Sequence, residues 1–432
     1  MVLAKRDATK NRQAICVVGG GLVGLFTALA LQERGKNVVL LEHAEIGGRQ
    51  AASFGNGCWI NPGAIMPMSL PGLLWQVPGF LLNPNGPFTI RWRHLPSLAG
   101  WLLRFLWAGR SWEQVEKQIR QRLPLLDNPV SHYQARAQQA GVPELILPTG
   151  TMYVYRSRKE LDADARSWEL RRKNGIKVRL LEADELRKRE PELSPAYQYG
   201  MMIEEAATLA DPSAFCQALG QLFTSRGGEI IQAGATGFIL DDGKLVAVRS
   251  DQGEIYCNQA VVAAGAWSKA LAAKLGDRVP LISERGYHVT ISDPGFRINH
   301  GLMDADGKMA IVMTSTGLRF AGQVELASLT APPRWKRARI QLKYAKRLFP
   351  PLRQGVELER AAYDLWMGHR PSTPDSLPVI SRSNASPDIV YAFGHGHTGV
   401  SMAPATAKLV GQLLCDDPES DHQARAFSIK RF

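Results

Sequence analysis

Gly19-Gly20-Gly21-Leu22-Val23-Gly24 carries the sharpest local chemical pattern in the chain. Gly19, Gly21 and Gly24 fit a GxGxxG turn. The first glycine allows the tight turn, the second lets backbone approach a pyrophosphate, and the third packs helix on strand. A helix opening with Leu22 and Val23 presents free N–H groups and a positive dipole end to the phosphates. Glu42 follows about 20 residues on, at the end of the next apolar run, where a carboxylate accepts from ribose hydroxyls and repels a 2′-phosphate. The alternative is a glycine turn that only folds the chain, and the motif alone leaves FAD and NAD open.

The elements around these residues have the order such a site requires. Ala14–Gly19 is apolar, a helical pattern runs to Gln32 and ends at Gly35, and Asn37–Glu42 is a second apolar run. This is the opening of a doubly wound α/β domain. Three distant segments complete the pattern. Gly47–Ser53 brings small residues (Ala51 among them), Arg49 and the Ser53 hydroxyl toward a diphosphate. Ala260–Gly265, then Trp267, is an apolar strand ending in the small turn Ala264-Gly265, suited to the adenosine side. Gly394–Ser401 is a second glycine-rich strand-to-helix turn, which points another helix N-terminus at an anion or a flavin carbonyl.

These motifs resemble the FAD-dependent D-amino acid oxidase and glycine oxidase superfamily, in the pattern of the small-subunit bacterial D-amino acid dehydrogenases. The resemblance also rests on Ser53–Gly57, Asn61-Pro62-Gly63, Arg285-Gly286-Tyr287, Trp366–Asp375 and the tail Phe427–Phe432. It implies an α/β fold, a doubly wound, Rossmann-like FAD-binding domain with a discontinuous α+β substrate domain. Residues 14–75, 206–283 and 365–432 are expected in the first, and 76–205 and 284–364 in the second. Arg370, in the family's Arg-Pro element, is expected to bind the substrate carboxylate; a guanidinium offers that group a planar fork. Tyr287 is expected to help there, with Arg285, His288 and Arg319 as weaker candidates. His395 and His397 are expected to touch flavin or substrate. Ala235, Gly368, Thr398, Gly399, Val400 and Ser401 join the expected cofactor-binding set. For each, a structural role stands as the alternative: a surface arginine, a buried strand aromatic, a satisfied turn histidine.

The sarcosine-oxidising branch can attach flavin through a cysteine near the position of Trp366–Arg370. No cysteine stands there, so the expected FAD is non-covalent. The implied reaction is hydride transfer from substrate Cα to flavin, followed by hydrolysis of the imine. The electrons go on to a quinone, a partner protein or oxygen. Asn56-Gly57-Cys58-Trp59 departs from the dehydrogenase pattern, which leaves open a cyclic secondary amine such as a D-hydroxyproline as substrate.

The chain has 432 residues, 45% hydrophobic and 21% charged, a composition that excludes disorder, collagen and coiled coil and permits a sizeable core. Its five cysteines are scattered without a CxxC, and no HExxH occurs, so no disulfide framework or metal site is expected. The +12 formal charge suits an anionic partner. A nucleic-acid-modifying flavoprotein is disfavoured because no basic stretch is interleaved with aromatics outside one segment. Flavin-dependent hydroxylation wants a Gly-Asp motif where Gly394-His395 stands.

That one segment is Pro71–Trp112, with Trp75, Trp92, Trp101, Trp107 and Trp112. Leu98, Trp101, Leu102 and Phe105 recur at helical spacing beside Arg104 and Arg110, and Leu103, Leu106 and Trp107 widen the apolar face. It reads either as a helix lying in a membrane interface or as a core helix roofing the site. Met1–Arg12 is polar, without a secretory pattern, and no apolar run reaches the ~18 residues of a membrane span. A cytoplasmic protein, peripheral on the inner face of the cell membrane, is the resulting expectation.

Overall fold

The strand Ile15–Val18 is buried throughout, and its alternate residues feed two different cores. Ile15 and Val17 face the helices Leu22–Gln32, Pro212–Ser225 and Gly399–Leu414. Cys16 and Val18 face the meander Ala235–Asp241, Lys244–Ser250, Gly253–Tyr256. A strand covered on both faces must be apolar at every position, as this one is. It lies inside a six-stranded sheet in the order Glu229–Gln232, Val38–Glu42, Ile15–Val18, Gln259–Val262, Ile389–Phe393, Val379–Arg382. All neighbours are parallel except the last pair. This is the expected doubly wound architecture. The computed structural model describes residues 14–73, 86–354 and 363–432. Met1–Arg12 and Trp75 lie outside the described residues.

A second, mixed sheet of nine strands stands over the ends of the first. Its order begins Tyr363–Ser372, Ile282–Ile291, Gly317–Leu326, Met309–Thr314, Gly301–Asp304 and continues through Thr151–Tyr155, Tyr199–Ile203 and Arg179–Glu182. Phe88–Ile90 pairs beside Gly317–Leu326. The division expected between residues 364 and 365 falls inside the strand Tyr363–Ser372, which pairs along its length with Ile282–Ile291. The chain re-enters the six-stranded sheet only at Val379.

Local expectations hold where punctuation is strong. The Asp241-Asp242-Gly243 turn is a hairpin, with Asp242 and Gly243 both at positive φ (47° and 75°). The helical pattern over Ser111–Gln139 splits into Trp112–Arg122 and Pro129–Gln139, because Pro124 and Pro129 each open a new helical turn.

In the Trp-rich segment, helix Leu95–Ala108 has apolar residues on two faces. Leu98 and Trp101 are buried. Trp101 Nε1 donates to the Ser372 carbonyl at 3.2 Å, and Phe105 stacks on the Trp101 ring with centroids 4.9 Å apart. Outward, Trp92, Leu103 and Trp107 are 63%, 69% and 66% exposed. One side of this helix is therefore buried and the other exposed. Among the described residues, no helix is long and apolar enough to cross a membrane.

Candidate active site

A cavity of ≈ 950 Å³ runs between the two sheets. Gly19, Gly21, Leu22 and Val23 line one part of it. Gly19 has φ +110°, and a Cβ there would sit 2.5 Å from the Ala263 carbonyl oxygen, so both the turn and the packing require glycine. Gly24 does not line the cavity. A Cβ on it would fall on the Gly19 carbonyl oxygen, so its role is the close approach of helix to turn. Ser53 Oγ accepts from the Leu22 N–H at 3.0 Å, which fixes it at the helix N-terminus. Glu42 is buried and accepts from the Gly20 N–H at 2.6 Å and from His43 Nδ1 at 2.7 Å. Ala51, Ala235, Ala264, Gly265 and Trp267 line the cavity as expected.

Two expected cofactor residues stand elsewhere. Arg49 turns its fork to Asp364, at 2.7 and 3.0 Å, and donates to the Leu365 carbonyl at 2.8 Å. It ties the glycine-rich loop to the large sheet instead of lining the cavity, because a carboxylate distant in sequence comes within reach of its planar fork. Gly368 lies under the indole of Trp366, where a Cβ would overlap the ring. Its smallness serves that ring, whose Nε1 donates to the Arg49 carbonyl at 2.8 Å.

Arg370 lines the other part of the cavity. Its Nη1 donates to Glu284 Oε1 at 3.1 Å and to the Gln323 carbonyl at 3.2 Å. Glu284 and Arg370 are direct partners across the two strands. A Cβ on Gly286, two residues along, would fall on the guanidinium, so the strand leaves room for it there. Ser372 Oγ donates to Glu284 Oε2 at 3.0 Å. Gln323 is at φ +60°, where the pairing of Ile282–Ile291 with Gly317–Leu326 shifts register, and this bulge aims its carbonyl at Arg370.

Tyr287 is a correction. It does not line the cavity; its hydroxyl donates to Glu325 Oε2 at 2.7 Å and accepts from the Arg334 N–H at 3.1 Å. Burial, with that carboxylate beside it, pushes the phenol up to about 12. Arg285 pairs with the same Glu325 at 3.0 Å, and Arg91 does so at 2.9 Å. The physical reason is the two-residue period of a strand. Glu284 faces the cavity, so Arg285 and Tyr287, an odd number of residues along, face away. None of the three weaker candidates, Arg285, His288 and Arg319, lines the cavity. His288 Nδ1 donates to the Gly55 carbonyl at 3.2 Å and its ring stacks on Trp366, and Arg319 donates to the Phe54 carbonyl at 3.1 Å.

The turn Gly394–Ser401 closes the cavity, with His395, His397, Thr398, Gly399, Val400 and Ser401 lining it. His395 Nε2 is 3.0 Å from Thr406 Oγ1. His397 opens its accessible face into the cavity. Burial pulls His395 down to about 3. His369, Nδ1 at 2.7 Å from Ser283 Oγ, is likewise lowered to about 4 by burial. His369 and His395 are therefore neutral at neutral pH, and Arg370 is a fixed cation beside them. The Gly396 N–H donates to the Pro371 carbonyl at 2.8 Å and Ser372 bridges to His395, so this turn is joined by main chain to the Arg370 strand.

Sequence reasoning missed Glu284, Gln323 and Cys58 as cavity residues. The Cys58 thiol lies 3.4 Å from Arg319 Nη1, and burial raises it above its ordinary value.

The residues present fit FAD. A cavity of this size is at the upper end of ligand sites. Its lining at the first helix includes the small residues Gly19, Gly21, Ala51 and Ser53 beside Leu22 and Val23, and a Cβ on Gly21 would meet only Ser53 Oγ, at 3.3 Å. The chain is 44% identical over 401 residues to a D-amino-acid oxidase of Bradyrhizobium diazoefficiens, covering 93% of this chain and 94% of that one. It is 28% identical over 417 residues to a D-amino acid dehydrogenase of Vibrio cholerae, again over 93% and 94%. In fold it matches glycine oxidase from Bacillus cereus (TM-score 0.69, 16% identity, 95% of this chain and 97% of that one). It also matches L-proline dehydrogenase from P. horikoshii (TM-score 0.73, 19% identity, 98% of each). The family model described as FAD dependent oxidoreductase matches residues 14–413. The chain thus belongs to the FAD-dependent oxidoreductase family and is an oxidoreductase that uses FAD.

Proposed function

We propose that the enzyme oxidises D-amino acids to imines, which water converts to 2-oxo acids and ammonia. The observation that carries this reading is Arg370, a guanidinium held by strand and bulge on the wall of the cavity. Gly19, Gly21 and Ser53 hold the cofactor diphosphate, Glu42 the ribose, and Gly394–Ser401 the flavin end. When bound, FAD supplies the acceptor for the hydride from substrate Cα. Arg370 clamps the substrate carboxylate through two parallel N–H···O bonds and so sets which Cα hydrogen faces the cofactor. The D preference is supported by the 44% identical relative and by a second relative with the same substrate class in its name. The FAD is non-covalent, since no cysteine stands among Trp366–Arg370 and the Cys58 thiol is kept protonated by burial.

Anaerobic mixing tests this. The yellow protein bleaches with D-alanine and not with L-alanine, and acid precipitation leaves free FAD in the supernatant. Bleaching by L-alanine alone overturns the substrate reading. Flavin that stays on the pellet overturns the non-covalent one.

The electron acceptor proposed is a quinone, reached at the inner face of the cell membrane. Exposed Trp92, Leu103 and Trp107 stand beside exposed Arg93, Arg104 and Arg110, a set suited to rings in the headgroup layer and guanidiniums on acidic lipid. Trp101 and Phe105 pack inward and do not belong to this set. Replacing Trp92, Leu103 and Trp107 with serine is expected to weaken flotation on anionic vesicles at least tenfold, given ~1.5 kcal/mol or more per buried large side chain. Activity with a soluble dye is expected to persist. A wild type that never floats removes the membrane. Oxygen is the second reading, favoured by the relative named as an oxidase, and hydrogen peroxide at one equivalent per turnover identifies it.

A further inference from the structure

We propose that Glu284 binds the substrate's ammonium group and takes its proton, so that Arg370 and Glu284 together form a receptor for a zwitterion. This rests on the reading of Arg370 as the carboxylate clamp and adds to it the half of the substrate that an arginine cannot recognise.

Glu284 is buried, lines the cavity, and stands directly across from Arg370 in strand register. A carboxylate at this spot is costly for an enzyme whose task is only to bind an anion. It repels the incoming carboxylate and neutralises the guanidinium that should attract it. The pair makes sense for a ligand with both charges. In an α-amino acid one carbon separates the ammonium from the carboxylate, and Glu284 Oε1 lies 3.1 Å from Arg370 Nη1. Among the described residues, Arg370 bonds through Nη1 to Glu284 and to the Gln323 carbonyl, which leaves Nη2 and Nε for the substrate carboxylate. Glu284 is held at Oε2 by Ser372 Oγ, so Oε1 keeps its orientation while it accepts from the substrate nitrogen. The substrate thereby closes a four-cornered ring of alternating charge.

The proton step balances within this ring. The substrate arrives as R–NH₃⁺ at neutral pH. One N–H bond breaks and an O–H bond forms on Glu284. The electron pair stays on nitrogen, where it pushes toward Cα as the Cα–H pair departs to the oxidant that the family's cofactor provides. The other groups around Glu284 do not take this role. Arg370 and, from the helix Trp112–Arg122, Arg122 are cations. His395 and His397 line the same pocket; His395 Nε2 is engaged with Thr406 Oγ1 at 3.0 Å and burial holds that imidazole low, while Glu284 is the group paired directly with Arg370.

Glu284→Gln separates the two halves of the receptor. It keeps an oxygen for Arg370 and removes the charge. Calorimetric titration with propionate, which has the carboxylate and no amine, is expected to show binding tighter by about tenfold or more, since an anion no longer competes for Arg370. For D-alanine, kcat/KM is expected to fall by about 10²–10⁴, the range of a lost acid–base group. The residual kcat/KM should rise with pH until the substrate amine is free. Glu284→Asp is expected to recover part of the D-alanine rate. Ser372→Ala, which keeps the charge and frees its position, should raise the KM for D-alanine and leave propionate affinity unchanged. A Glu284→Gln protein that binds propionate more weakly, or keeps its D-alanine rate, overturns the proposal and makes Glu284 a counter-ion that only orients Arg370. If propionate affinity is instead unaffected by Arg370→Ala, the failure lies with the carboxylate clamp.

Discussion

Arg370→Ala lowers kcat/KM for D-alanine by about 30- to 5,000-fold, at full flavin occupancy. The range is the roughly 2–5 kcal/mol lost when one partner of a buried, hydrogen-bonded charge pair is truncated. Two effects add here. The substrate carboxylate loses its fork, and Glu284 is left facing the same cavity with the Ser372 hydroxyl but without its ion-pair partner, so the cavity becomes less favourable to an anion. Arg370→Lys recovers little, because an ammonium restores the charge without the two-toothed geometry. Flavin content should not change, since the Arg370 bonds run to the large sheet and not to the first turn. Steady-state kinetics beside a flavin titration checks both parts. An unchanged kcat/KM places the clamp elsewhere, and a loss confined to FAD content makes Arg370 structural.

Gly24→Ala and Gly21→Ala, one turn of helix apart, are expected to fail in different ways. A Cβ at position 24 falls on the Gly19 carbonyl oxygen, which is backbone and has no rotamer to yield. Helix and turn must separate, at the ~1–3 kcal/mol or more of overpacking, so the FAD-free protein melts earlier and binds FAD poorly. Position 21 offers room to a methyl, whose nearest neighbour is Ser53 Oγ at 3.3 Å. That variant should keep the melting temperature of the FAD-free protein and still lose FAD, because the methyl stands where the diphosphate approaches the backbone. Melting curves of the FAD-free proteins and flavin titrations separate the outcomes. A Gly21→Ala protein that binds FAD like the wild type shows that the diphosphate does not pass over Gly21.

What could be read before folding was what is encoded locally. The first strand, turn, helix and second strand lie within Ile15–Glu42, and each residue's role follows from its neighbours. Arg370 was legible because the Arg-Pro element marks it. Tyr287 was misplaced because nine of the ten residues of Ile282–Ile291 are buried, so no polar–apolar alternation tells which face is which. The partner that claims it, Glu325, comes from a strand dozens of residues later. Arg49 was misplaced for the same reason, its carboxylate Asp364 being 315 positions away. The Trp-rich helix gave two answers because it carries two apolar stripes, one packed on Ser372 and one turned to solvent.

The join between the Arg370 strand and the turn that follows Phe393 bears on how this enzyme can diverge. Because Gly396 is bonded to the Pro371 carbonyl at 2.8 Å and Ser372 bridges to His395, the spacing from clamp to cofactor turn is written in main chain. Side-chain drift along the cavity wall alters which substituent a substrate can carry. With Arg370 as the proposed carboxylate anchor, inverting handedness would require moving it relative to that turn. Selection on such a scaffold therefore broadens the menu of substrates far more readily than it mirrors it.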